Sequence, residues 1–244
     1  MSKRLVLMAV VWLAGFPLLR AQDAPQAPPP PHVAEKAPDL SRWAVEYQYE
    51  GKAGEQGTRA TANRLLGKRI TQLNVTKSQD IKHEQGVYED GVILDVWIHG
   101  GLMVLKDPGY AHKIVRRKAQ AGGDFPEFQW IKDAGYRGTE RVNGKECLVF
   151  QHELYPLQFA DPGLYAAEMA QEQRSIDLGA KVPVVAHIDA KTRLPVKLTV
   201  GDDARIYTFL SPPPVSLIVP ADYEAAIQQV DGRYKALSKP LSKP

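Results

Sequence analysis

Alternation with a period of two is the feature that most limits what this chain can fold into. Trp43, Val45, Tyr47 and Tyr49 alternate with Ala44, Glu46, Gln48 and Glu50, and Leu194, Val196, Leu198 and Val200 alternate with Pro195, Lys197 and Thr199. Successive side chains of a strand point to opposite faces, so both stretches read as strands with one apolar and one wet face. Weaker versions run through Thr58–Leu66, Arg69–Lys77, Lys82–Tyr88, Val92–His99, Leu102–Lys106, Glu146–Leu154, Val182–Ile188, Ala204–Leu210 and Val215–Val219. Their links are short and carry turn chemistry: Glu89-Asp90-Gly91, Val142-Asn143-Gly144-Lys145 and Gly201-Asp202-Asp203. Asn-Gly tolerates positive φ and marks a hairpin. Parallel neighbours would need long crossovers, so short links imply an antiparallel meander.

Two helices interrupt the pattern. Asp161-Pro162 is a cap followed by a residue pre-set for a first turn, with Leu164, Tyr165 and Met169 on one face before Gly179. After Pro220, Asp222 is read as the cap of a second helix that presents Tyr223, Ile227 and Val230 and stops at Gly232. Each has one face to bury, and the apolar face of the sheet is the expected partner. The fold class is therefore α+β, mostly β, with the sheet layered on or curled around its helices.

The ends read differently. Lys3 and Arg4, the apolar run from Leu5, Pro17 and the small residue Ala21 have the layout of a signal peptide over residues 1–21. The run is short for a spanning helix, which needs about 20 apolar residues; a retained anchor is the alternative. Residues 22–38 form a proline-rich spacer (APQAPPPPHVAEKAP from Ala24), 39–230 the β-rich domain, and 231–244 a disordered basic tail ending in LSKP-LSKP. Export to the periplasm or the exterior follows. Removing Lys3, Arg4 and Arg20 from the 31 basic residues balances the 28 acidic ones, so the mature chain is formally neutral. Nucleic acid, which needs a clustered positive field, is excluded as a partner.

No catalytic or metal-binding constellation is present: there is no G-x-S-x-G, H-E-x-x-H, C-x-x-C or phosphate-cradling loop, and no cofactor is implied. The chain reads as a non-enzyme. Cys147 lies in the apolar run Cys147-Leu148-Val149-Phe150 and reads as a buried, inert thiol. His152 and His187 could converge with Glu153 or Asp189 in three dimensions, though structural histidines are the ordinary reading. Lys113, Arg116, Arg117 and Lys118 form a basic cluster. It reads either as a patch for anionic groups, including a peripheral membrane contact, or as a solvated edge strand protected from aggregation by its charges.

The second half of the domain has a cadence: Gly138-Thr139-Glu140-Arg141-Val142-Asn143-Gly144-Lys145-Glu146-Cys147, then His187-Ile188-Asp189-Ala190-Lys191-Thr192-Arg193-Leu194-Pro195-Val196-Lys197-Leu198, then Tyr207-Thr208-Phe209 and Leu217-Ile218-Val219-Pro220. It resembles the closing strands of the exported superfamily of the outer-membrane lipoprotein carrier and its lipoprotein receptor (LolA/LolB-like). The resemblance implies a half-open antiparallel barrel with helices over a concave, greasy interior that receives acyl chains. Two functions stay open. One is a noncatalytic carrier or sensor that binds a lipid or lipoprotein on an apolar face made of Trp43, Val45, Tyr47, Val92, Leu94, Val96, Leu148, Phe150, Leu194, Val196 and Leu198. The other is a structural or interaction module of the cell envelope that fills its own concave face. Oligomeric state is not legible.

The export reading predicts a mature protein beginning at Gln22. Intact mass of protein from the extracytoplasmic fraction checks this, and a mass retaining residues 1–21 would mean an anchored protein instead.

Overall fold

The computed structural model describes residues 26–49, 69–99, 101–106, 114–117, 123–155, 158 and 178–237. Eleven strands form one sheet: β1 (Leu40–Gln48), β2 (Ile70–Ser78), β3 (Ile81–Tyr88), β4 (Ile93–His99), β5 (Leu102–Lys106), β6 (Ile114–Arg117), β7 (Tyr136–Val142), β8 (Lys145–Leu154), β9 (Val182–Asp189), β10 (Pro195–Val200) and β11 (Asp203–Leu210). The spatial order is β6-β5-β4-β3-β2-β1-β11-β10-β9-β8-β7, and every pairing is antiparallel. Two hairpin meanders, β1–β6 and β7–β11, are thus joined along β1 and β11. The outermost strands, β6 and β7, do not pair, so the sheet curls into a half-open barrel. Twisted sheets of this strand number curl rather than stay flat.

The register sorts the side chains. Trp43, Val45 and Tyr47 stand opposite Phe209, Tyr207 and Arg205 on one side, and Trp43 and Val45 opposite Val75 and Leu73 on the other. The same face continues through Glu84 to Val96 and Leu105, and through Leu198 and Ala186 to Phe150. This is the concave face. Its main core joins Trp43, Val45, Val75, Leu148, Phe150, Val184, Ala186, Ile188, Leu198 and Tyr207 to Phe125 and Phe128 of the loop 123–131, which lies over the sheet.

The alternation located the strands closely, and Asn143 (φ 50) with Gly144 (φ 79) makes the expected positive-φ hairpin turn. Four readings need correction. Val215–Val219 is no strand: Pro212, Pro213, Pro214 and Pro220 flank an extended segment in which Val215 and Ile218 are 72% and 84% exposed. The C-terminal helix, α1 (Ala221–Leu237), starts one residue before Asp222, with Tyr223 and Glu224 donating to the Pro220 carbonyl, and runs past Gly232. It also packs on the other side of the sheet. Tyr223 and Ile227 meet Trp97, Leu102 and Val104, and Trp97 lies one residue out of phase with Val96 and Ile98. Three successive apolar residues, Val96-Trp97-Ile98, all buried, mean that β4 is covered on both faces.

The fourth correction concerns the spacer. Its part from His32 to Ala37 is a strap docked on the fold: Ala34 N–H donates to the Arg193 carbonyl, Asp124 N–H to the Glu35 carbonyl, and His32 bonds Asp133 and lies against the Phe150 ring. Two apolar side chains, Ala37 and Val33, suffice alongside these contacts, joining the main core. The expected strand at Thr58–Leu66, the helix after Asp161, the signal peptide, Lys113 and Lys118 lie outside the described residues.

Gly123 sits at φ +61, and a Cβ there would stand 2.0 Å from the Glu35 oxygen, whereas Gly91 at φ +79 has open space. Alanine in left-handed backbone costs about 1–2 kcal/mol. Gly91→Ala should cost that much in urea denaturation, and Gly123→Ala at least about 2 kcal/mol more. Equal losses would show that the strap does not bear on Gly123.

Candidate functional site

The concave face is divided into zones. Over β1 and β11 the loop 123–131 acts as a plug. Phe125 lies 5.8 Å from the Trp43 ring and 6.2 Å from Phe209, and Phe128 lies edge-on 5.5 Å from Tyr207. Pro126 opens a 3-10 turn that sets Phe125 and Phe128 three residues apart on the sheet side. A cavity of about 450 Å³ separates plug and strap, with Pro30, His32, Phe125 and Ile131 among its walls.

At one end of the plug, Asp124 gathers two cations. Its carboxylate accepts from Ala37 N–H at 2.9 Å, Lys77 Nζ at 2.8 Å and Lys82 Nζ at 3.3 Å, while Lys77 also donates to the Ala37 carbonyl and Lys82 pairs with Glu84 at 3.1 Å. Both lysines are buried. Burial alone would raise the Asp124 pKa, but the hydrogen bond from Lys77 and the charges of Lys82 and Lys77 outweigh it, leaving the carboxyl below its ordinary range. At the other end lies a row of tyrosines and arginines. Tyr207 donates to Glu127 at 2.6 Å, the Arg205 guanidinium sits 5.4 Å from the Tyr47 ring, Tyr47 and Tyr49 stack at 6.3 Å, and Arg69 lies 4.8 Å from Tyr49. Burial, reinforced by Glu127, pushes the Tyr207 hydroxyl well above its usual range.

Beyond Lys82 and Glu84 the same face becomes apolar again. Val96, Ile98 and Leu105 are buried with Leu94 and Met103 against them, and among the described residues no apolar side chain from another layer joins this cluster.

The eleven sequence-derived face residues are therefore placed as follows. Trp43, Val45, Leu148, Phe150 and Leu198 lie in the plugged core, with Tyr47 and Leu194 at its border. Leu94 and Val96 belong to the second apolar zone. Val196 is buried outside both, and Val92 precedes β4. The plug was missed: Phe125-Pro126-Glu127-Phe128-Gln129-Trp130 has neither helical nor strand period, and its aromatic density was the available signal.

Of the basic cluster, Arg116 and Arg117 fall on β6, an edge strand of the sheet. His152 and His187 do not converge. His152 is on the concave-face register and takes its own neighbour's N–H (Glu153, 2.8 Å), whereas His187 is one residue out of phase and pairs with Glu140 at 3.2 Å. Asp189 accepts from the Lys191 and Thr192 amides. Cys147 is fully buried, and burial raises its pKa, which suits an inert thiol. Among the described residues no group of three or more His, Cys, Asp and Glu side chains could hold a metal ion.

Neither a family model nor a curated protein matches this sequence. Solved structures do resemble the chain. They include the lipoprotein LppX of Mycobacterium tuberculosis (TM-score 0.41, 11% identity, covering 74% of this chain and 90% of that one) and LprF of Mycobacterium bovis (0.34, 13%, 75% and 90%). The MucA/MucB complex of Pseudomonas aeruginosa is a third (0.36, 13%, 71% and 53%). The half-barrel assignment rests on the strand register described above.

The depressed Asp124 carboxyl ties stability to pH. Its contribution is fully present above about pH 4, the ordinary unfolded value, and is lost as pH falls through the lower folded value. Asp124→Asn should cost about 3 kcal/mol at pH 7, since it removes the carboxylate shared by two buried lysines, and its deficit relative to wild type should shrink below pH 4. Urea melts at pH 7 and pH 3 test this, and a pH-independent deficit would contradict the assigned ion cluster.

Proposed function

We propose that the protein is an exported, noncatalytic carrier or sensor whose half-barrel takes an apolar ligand, an acyl chain of a lipid or lipoprotein, against the inner faces of β4 and β5. The observation that carries this reading is the second apolar zone, Leu94, Val96, Ile98, Met103 and Leu105. It continues the concave face past Lys82 and Glu84 as a contiguous apolar surface of five side chains on two adjacent strands. The energy suffices. A buried methylene contributes about 0.8 kcal/mol, so eight give roughly 6 kcal/mol before ordering costs, the scale of tens-of-micromolar binding. The family resemblance of the hairpins points the same way.

A second reading has its own support. Phe125 and Phe128 already fill the concave face over β1 and β11, as an interaction module with a self-packed core requires. The zones separate the two. Titrating an environment-sensitive fatty-acid probe into the mature protein should give a saturable signal, at least tenfold weaker in Val96→Arg, with a smaller loss in Tyr47→Arg at the border of the plugged zone. No saturable signal, or an equal one in folded Val96→Arg, leaves the interaction module standing.

A further inference from the structure

Helix α1 is fastened to the outer face of the sheet by two histidine–carboxylate joints. In the inner one His83 Nε2 meets Asp95 Oδ1 at 2.6 Å, Gln85 Nε2 donates to the same oxygen, and Tyr223 of α1 donates to Asp95 Oδ2 at 2.7 Å. His83 lies flat on Trp97, with ring centres 4.2 Å apart.

The outer joint is chemically different. His99, at the end of β4, has a carboxylate on each ring nitrogen: Nδ1 is 3.3 Å from Glu224 Oε2 on α1, and Nε2 is 3.6 Å from Asp80 Oδ2 in the β2–β3 turn. The other oxygen of Glu224 accepts from Gln228 Nε2 at 3.3 Å, which steadies the carboxylate toward the sheet. An ionised carboxylate only accepts, and a neutral imidazole has one N–H and one lone pair. A neutral His99 must therefore turn its lone pair on one of its two carboxylates. Only the imidazolium satisfies both. Among the described residues, Asp95 on β4, Tyr223 on α1 and His83 on β3 belong to the inner joint and Asp222 on α1 adds negative charge beside it, while Lys106 on β5 stands across from Asp95 and β6, which α1 also meets, carries Arg116 and Arg117.

We propose that His99 is a proton-operated latch that bridges Asp80 and Glu224 when doubly protonated and loosens the docking of α1 on the outer face when it loses a proton. Docking is tighter at acidic pH and looser as pH rises, because the charge that attracts both carboxylates is present only in the protonated ring. Opening of α1 uncovers Trp97, Leu102 and Val104, on the same strands whose inner faces carry Val96, Ile98 and Leu105. A change of proton activity is thereby felt by the strands of the apolar zone.

The test is hydrogen exchange of α1 amides in the full mature chain at pH 5.5 and pH 8, corrected for intrinsic exchange rates. Opening should be roughly two- to fivefold more frequent at pH 8, the scale of a partly exposed ion pair. The pH ratio should fall to about one in His99→Gln, and also in Glu224→Gln, whose surface position on the helix leaves the fold intact. His83→Gln should keep the ratio while raising opening at both pH values. A wild-type ratio of one, or a ratio that persists in Glu224→Gln and vanishes in His83→Gln, overturns the latch.

Discussion

The antiparallel pairing of β1 with β11 is the contact on which the rest depends. It joins the two meanders, and its register, Trp43 opposite Phe209 and Val45 opposite Tyr207, decides which residues of eleven strands share a face. A slip of one residue would send Trp43 and Val45 to the outer face and their neighbours Arg42, Ala44 and Glu46, two of them charged, into the core. The aromatic row along this seam resists that slip. Trp43 is stacked on Phe209 at 5.8 Å, and Phe125 closes over both rings. Because β1 lies early in the chain and β11 late, the half-barrel is complete only when these distant segments meet.

Much of this sheet was legible in the sequence, since a two-residue period is a local signal and the turns carry their own chemistry. The strands from β1 to β5 and from β8 to β11 fall close to where alternation puts them, and Asn143-Gly144 turns the chain as its residue types require. What escaped was whatever depends on distant partners. Lys77 and Lys82 look like wet-face residues, yet both are buried, because Asp124 arrives from a loop some forty residues away in sequence. The strap escaped for a related reason. Its prolines and small residues gave no core signal, and its anchors are backbone hydrogen bonds, His32 and two isolated apolar residues, Val33 and Ala37, which make no periodic pattern.

The candidate ligand face shows the same limit. Eleven residues of one phase read as a single apolar surface, but phase alone does not report what lies above it. Plug and ion cluster partition the surface: Phe125 and Phe128 claim the part built on β1 and β11, and the column Lys82, Glu84 on β3 separates it from Val96 and Leu105. The three apolar residues Val96-Trp97-Ile98 break strict alternation, and in retrospect that break was the sign that β4 serves two layers.

Strap, plug and ion cluster form one mechanical unit. Asp124 holds Lys77 and Lys82 with its side chain, receives the Ala37 amide on the same carboxylate, and donates its own N–H to the Glu35 carbonyl. Its neighbour Phe125 reaches onto Trp43. Moving the plug off the sheet would therefore take the Asp124 carboxylate from two buried cations and undock the strap together, a cost of several kcal/mol. A change at that scale needs a comparable gain elsewhere, so the plugged zone acts as fixed architecture. Among the described residues no such cluster bounds the zone on β4 and β5 on its far side, and its outer face is covered by a helix held by apolar packing on Trp97, Leu102 and Val104 and by the side-chain contacts of Tyr223 with Asp95 and Glu224 with His99. On those two strands the proposed ligand face and the docked helix share the same backbone.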